Sequence, residues 1–199
     1  MDLKDLQLTA AECELCGLCR GRNKPVFARG DSSSKVVFCG MCPGPDENKA
    51  GIPFVGAAGQ LLDAILVGAF GDNDSVYITN LVKCFVAPGT KLDNHWMSTC
   101  LPYFLVQLKL IQPKVIIALG KDVCNFLLNN EDNMGSMRGN VYDYMGTKLI
   151  GSYHPSFIAR SGGLKSKYFE TVVEDFRKAL YYLGEQHGFQ RDTNRITAR

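Results

Sequence analysis

Lys35-Val36-Val37-Phe38-Cys39-Gly40 is the stretch on which the fold turns. It is short, apolar and β-branched, with Ser32-Ser33-Ser34 before it and glycine at its end, and it reads as a buried strand. A Gly/Pro-rich loop runs from Gly40 to Gly59, and an apolar-periodic helix follows from about Gln60 to Phe70. Val76-Tyr77-Ile78-Thr79-Asn80-Leu81-Val82 then returns to strand character. Working outward, helices are expected over 2–12, His95–Ile111 (stopping before Pro113), Lys121–Leu128 and Tyr168–Gly184. Val115–Leu119 is a third buried strand. Gly139–Tyr144 and Lys148–Gly151 read as a hairpin, or as an edge strand beside a fourth core strand. Strands alternating with helices predict an α/β fold with a mainly parallel sheet covered on both faces. Sites in such sheets lie in loops beyond the strand carboxyl ends, here Gly40 onward, Asn80–Cys84 and Tyr153–Ser156.

The 199 residues suit a single domain, expected over 1–188 with a flexible tail at 189–199. Lys plus Arg number 22 against 20 acidic residues, a net charge of +2, which excludes a diffuse basic coat. Any polyanion site must come from local clustering. The longest apolar runs fall far short of the ~20 residues that span a bilayer. Met1-Asp2-Leu3-Lys4-Asp5-Leu6 lacks a signal peptide's apolar stretch, so a cytoplasmic protein, not secreted, is expected.

In that compartment eight cysteines point to metal or redox chemistry before disulfides. Cys13-x-x-Cys16 is a common pattern alone. It gains weight from Cys84 and Cys100, which flank a loop of 15 intervening residues. Four thiolates in two such pairs suit either a tetrahedral zinc or an iron–sulfur cluster. Cys19 has the spacing to join but would be a fifth ligand. Cys39 and Cys124 fall in a strand and an amphipathic helix, as small buried hydrophobes.

Several segments coincide in one order. They are Cys13-x-x-Cys16 with Gly21-Arg22, Gly40-x-x-Pro43-Gly44, and Gly51-x-Pro53-Phe54-Val55-Gly56-x-Ala58-Gly59-Gln60-Leu61-Leu62. Val76-Tyr77-Ile78-Thr79-Asn80-x-Val82-Lys83-Cys84, Cys100 and His154-Pro155-Ser156 complete the set. In this order and spacing the chain resembles the family 4, iron–sulfur branch of the uracil-DNA glycosylases. The resemblance implies a three-layer α/β/α sandwich around a central four-stranded, mainly parallel sheet. It implies action on uracil-containing DNA, single- or double-stranded. Nothing in the sequence demands more than a monomer, and a prokaryotic or viral type is expected. The resemblance also implies a [4Fe–4S] cluster held by Cys13, Cys16, Cys84 and Cys100.

A glycosylase must extrude the base, recognise its edge and hydrolyse the C1′–N bond. By the resemblance Phe54 stacks on uracil, and the Asn80 amide reads N3–H and O4. His154 is the expected donor to O2, where charge appears as the bond breaks. Gly44, Ser156 and Arg160 are expected at the DNA backbone, with Ile158 as a wedge in the gap left by the flipped nucleotide. The chain also departs from the family pattern. Met41 stands where the family usually has a water-positioning Glu, and Cys42 replaces a small Ala or Gly. Gly40-Met41-Cys42-Pro43-Gly44 is closer to the single-strand-selective branch. Asp46 or Glu47 is therefore expected to position water, with Met41 and Cys42 facing the base. Phe85-Val86-Ala87-Pro88-Gly89 lacks the usual Pro-Pro-x-Asn-Arg. A glycosylase for another deaminated or modified base, or an inactive lesion-binding module, are the alternatives these departures raise.

Overall fold

The structure is a computed structural model describing residues 1–184, so the tail expected at 189–199 and the end of the expected 1–188 domain lie outside the described residues. Chain order gives α1 (Leu3–Ala11), β1 (Ala28–Gly30), β2 (Val36–Gly40), α2 (Pro45–Ala50), α3 (Ala57–Phe70), β3 (Tyr77–Asn80) and α4 (Asn94–Ile111). It continues with β4 (Val115–Leu119), α5 (Lys121–Leu128), α6 (Met134–Met137), β5 (Val141–Tyr144), β6 (Thr147–Ser152), α7 (Pro155–Arg160) and α8 (Phe169–Leu183). Short 3-10 turns form at Gly17–Arg20 and Gly163–Lys165.

β3, β2, β4 and β6 lie side by side and parallel, which is the expected four-stranded core. The complete sheet has six strands, ordered β1-β3-β2-β4-β6-β5, because antiparallel strands close both edges. β5 forms the hairpin with β6 that the sequence suggested. β1 has no apolar run to announce it. Its three residues become a strand by pairing with β3, Ala28 opposite Thr79 and Gly30 opposite Tyr77.

Successive strand residues point to opposite faces. Val36, Phe38, Ile78, Val115, Ile117 and Ile150 form one core with α3, α7 and α8. Val37, Cys39, Tyr77, Ile116, Ala118 and Leu149 form the other with α4, α5 and α6. The result is the α/β/α sandwich. Burial on both faces explains why β2 and β4, enclosed at every position, read as continuous apolar runs. α1 packs on α4, its Leu6 and Ala10 clustering with Phe27, Tyr103 and Val106. Among the described residues, no helix is long and apolar enough to cross a membrane.

One buried ion pair fixes the end of β6. Asp175 of α8, fully buried, accepts from Ser152 Oγ at 3.0 Å and pairs with Arg138 Nη2 at 2.6 Å. Burial pushes the Asp175 carboxyl up, while Arg138 and Ser152 pull it back down. This pins α8 to the last residue of β6, immediately before the Tyr153–Ser156 loop.

Candidate active site

Three parallel strands end at one place, and each contributes a different chemical part. β3 ends at Asn80, only 2% exposed, whose Oδ1 is buried without a hydrogen-bond partner. β2 ends at Gly40. A Cβ there would collide with Asn80 Oδ1 and come within 2.7 Å of Phe54 Cζ. Only glycine lets strand, amide and ring approach this closely.

Phe54 has φ 55°, a left-handed conformation that costs ~1–3 kcal/mol for a bulky residue. The surrounding loop enforces it. Glu47 Oε1 accepts from both Val55 N and Gly56 N at 2.9 Å. Gly59 lies so close to the Phe54 carbonyl that any side chain there would overlap it. The ring stands 5.8 Å from the His154 ring, tilted by 31°.

His154 follows β6 and caps α7. Its Nδ1 accepts from Ser156 N at 3.1 Å and lies 2.8 Å from Ser156 Oγ. Gly120, at φ 97° just beyond β4, makes room for it: a Cβ would sit 3.1 Å from His154 Cβ. Burial, with Arg160 nearby, pushes the His154 pKa down to about 4, and Glu47 opposes only in part. The imidazole is therefore neutral at neutral pH. Because a backbone N–H points at Nδ1, that nitrogen is the acceptor and the proton belongs on Nε2. The site thus holds a fixed, uncharged N–H donor beside an aromatic ring and an unpartnered amide oxygen.

The other expected residues divide. Glu47 is buried and its Oε1 is committed to the Phe54 loop, whereas Asp46 is exposed in the first turn of α2, alongside Gly56. Met41 and Cys42 pack against the α4–α5 core while staying partly exposed. Burial, with Asp122 and Glu47 nearby, pushes the Cys42 thiol up to about 11, so it is no thiolate at neutral pH. Gly44 caps α2, with Glu47 Oε2 beside it, and Arg160 is exposed at the end of α7. Ile158 requires a correction. It is 0% exposed and belongs to the α3–α8 core, so it cannot reach DNA as a wedge. The segment after His154-Pro155 folds as helix α7, which turns Pro155 and Ile158, one turn apart, inward together.

The four expected ligand cysteines come from four separate places in the fold, and Cys84 and Cys100 each lie near others of the set. Cys13 follows α1, Cys16 caps the first 3-10 turn, Cys84 follows β3, and Cys100 lies in α4. Burial raises the Cys84 thiol, and Cys16 and Cys13 add to it. Burial likewise pushes Cys100 up to about 11, with Cys84 and Cys13 adding to it. N–H groups already face the sulfurs: Arg22 Nη1 donates to Cys84 Sγ at 3.2 Å, and Lys83 N to Cys100 Sγ at 3.4 Å. Arg22 also feels Cys19, which sits on the rim of this centre. Among the described residues no three Cys, His, Asp or Glu side chains close on a single metal ion. Cys39 and Cys124 are fully buried, with thiols pushed up to about 12, as inert packing groups.

The model of the uracil DNA glycosylase superfamily matches residues 27–177, which spans all three strand ends. The chain is also similar to a type-4 uracil-DNA glycosylase of Thermotoga maritima, 32% identical over 88% of this chain and 91% of the relative. The corresponding protein of Pyrobaculum aerophilum is 32% identical over 90% and 96%, and that of Archaeoglobus fulgidus 31% over 96% of each.

The chain belongs to the type-4 uracil-DNA glycosylases. Two residues of this glycosylase have surroundings that the sequence did not announce. Lys83 read only as part of a motif, yet its side chain is wholly enclosed behind Asn80. Leu164 had no signal beyond its neighbours Gly162 and Gly163, which take φ 117° and 61°. It is 66% exposed on a turn tied by Lys165 N to Gly162 O (3.2 Å) and by Ser161 Oγ to Ser166 Oγ (2.8 Å).

Proposed function

We propose that this protein is a monofunctional DNA glycosylase that hydrolyses the N-glycosidic bond of uracil in DNA, leaving an abasic site and initiating base excision repair. The observation that carries this reading is the buried, unpartnered Asn80 Oδ1 at the end of β3, which only a glycine at position 40 allows to lie so close to the Phe54 ring. An orphaned acceptor costs ~1–3 kcal/mol and is retained where a ligand donor satisfies it. Uracil N3–H is such a donor, and the amide nitrogen reaches O4 of the same edge. Phe54 supplies the stacking face. Cytosine presents an amino group at C4 and an acceptor at N3, so the same amide opposes it.

As the C1′–N bond breaks, its electron pair passes into the uracil ring and charge collects on O2. The neutral His154 Nε2–H stabilises that charge without first losing a proton. Water attacks C1′ from the opposite face and gives up its proton. Of the two candidate carboxylates, Asp46 takes this role, because Glu47 is engaged in holding Phe54 in place. Ser156 serves His154 through its N–H and hydroxyl, while Gly44 and Arg160 meet the DNA backbone. With Ile158 internal, Leu164 is the apolar side chain that enters the base stack, flanked by Arg160, Lys165 and Lys167. No lysine is assigned a Schiff-base step. Lys83 is fully buried behind Asn80.

Cys13, Cys16, Cys84 and Cys100 hold a [4Fe–4S] cluster in this reading. Their donor set is all-thiol and served by N–H groups, which suits a cluster. The cluster supplies structure, joining the end of α1 to β3 and α4, and takes no part in bond cleavage. The enzyme works as a cytoplasmic monomer on genomic DNA.

Single-turnover release from a uracil oligonucleotide tests the assignment. His154→Ala and Asn80→Ala should each slow release by about 10²–10³-fold, the usual loss for one oxyanion donor, with the visible absorbance of the cluster unchanged. An unaltered rate in either variant removes that residue from the mechanism.

A further inference from the structure

Lys83 is among the largest fully buried side chains of the protein, and its ammonium meets three neutral oxygens. Nζ donates to Asn80 O at 2.6 Å, Thr79 Oγ1 at 2.7 Å and Gln107 Oε1 at 2.7 Å. These partners are themselves anchored. Thr79 Oγ1 donates to Phe27 O at 2.7 Å, and Gln107 Nε2 donates to Tyr77 OH at 3.0 Å. A buried charge costs several kcal/mol to desolvate, and removing it alone would strand three buried acceptors.

The geometry has a consequence at Asn80. Its carbonyl is held by Lys83 Nζ, and the next amide, Leu81 N, donates to Gly40 O at 2.8 Å. The peptide plane following Asn80 is therefore gripped from both ends. With Asn80 also held in the β2–β3 ladder, fixing that plane sets the backbone angle that aims the Asn80 side chain, whose Oδ1 has no partner of its own. Lys83 N also donates to Cys100 Sγ, so one residue touches both the cysteine centre and the strand end.

We infer that Lys83 is a positioning residue for Asn80, setting the angle at which its amide meets the base. This rests on the glycosylase reading above. The ammonium lies behind the strand end and acts only through the Asn80 backbone. A misplacement of about 1 Å in a catalytic group costs on the order of a hundredfold in rate, which sets the expected scale.

The test is a double-mutant cycle on single-turnover uracil release from a single-stranded oligonucleotide. Lys83→Met should slow the step by about tenfold to a hundredfold while affinity for an abasic-analogue oligonucleotide stays within about twofold. In the Asn80→Ala background, Lys83→Met should add no further loss, since the group it positions is gone. Full multiplication of the two effects, or an unchanged rate in Lys83→Met, overturns the inference. Should Lys83→Met fail to fold, Gln107→Leu removes one acceptor and leaves the lysine. It should show a smaller loss that also vanishes without Asn80, and a loss that persists there overturns the inference. A wild-type protein that releases no uracil contradicts the glycosylase reading instead, so the two failures are separable.

Discussion

In the proposed mechanism His154 acts as an uncharged donor, and its surroundings favour that form. Burial and Arg160 disfavour the imidazolium, and the Ser156 N–H facing Nδ1 selects the Nε2–H form. The pH dependence follows with a definite sign. In the unfolded chain a histidine titrates near 6.5, and in the folded protein His154 does so at about 4. As pH falls through this window the unfolded state takes up the proton first, so stability drains away between about 6.5 and 4. The donor itself survives over the same interval. Uracil release should show no inflection near pH 6.5, and nitrogen NMR of the ring should report a neutral imidazole at pH 6. A charged ring at that pH contradicts the assignment. Glu47 gives a second lesson at this scale. Sequence leaves it level with Asp46 as a water ligand, and only its two bonds to Val55 N and Gly56 N separate them.

Among the elements, those defined by continuous burial were legible and those defined by pairing or capping were not. β2 and β4 are apolar at nearly every position because helices cover both faces, so local composition alone marks them. β1 exists through its ladder to β3, and α2 and α7 are six-residue helices begun by Pro45 and Pro155, within segments whose glycines and prolines read as loop. The Ile158 wedge failed for this reason. A residue four positions past a histidine points out of a loop but, one turn into a helix, it points into the core. The end of β6 depends on a distant element as well, since Asp175 of α8 holds Ser152. Asp175→Ala leaves Arg138 and Ser152 without their partner and should cost about 3 kcal/mol by denaturant unfolding. Uracil release should fall with it through displacement of His154. A loss below about 1 kcal/mol would show that the β6 terminus is held by other means.

Across the whole molecule, the layered fold gathers the candidate site at the carboxyl ends of the parallel strands of one mixed sheet. The α/β class and the parallel order were accessible from strand–helix alternation, whereas the two antiparallel edges required the assembled sheet. The eight cysteines divide into the four proposed cluster ligands, Cys19 beside Arg22, two packing thiols and Cys42 inside the first motif. The near-zero net charge leaves DNA binding to local contacts instead of a diffuse basic coat. In the proposed function the site formed by Asn80, Phe54 and His154 removes uracil. The most direct measurement is base release from single-stranded oligonucleotides carrying uracil, hypoxanthine, xanthine or thymine, using anaerobically purified protein and identifying the freed base by mass. The account predicts free uracil and an alkali-labile abasic site from the uracil strand alone. Release of a different base, or tight binding of the uracil strand with no base released, would contradict it.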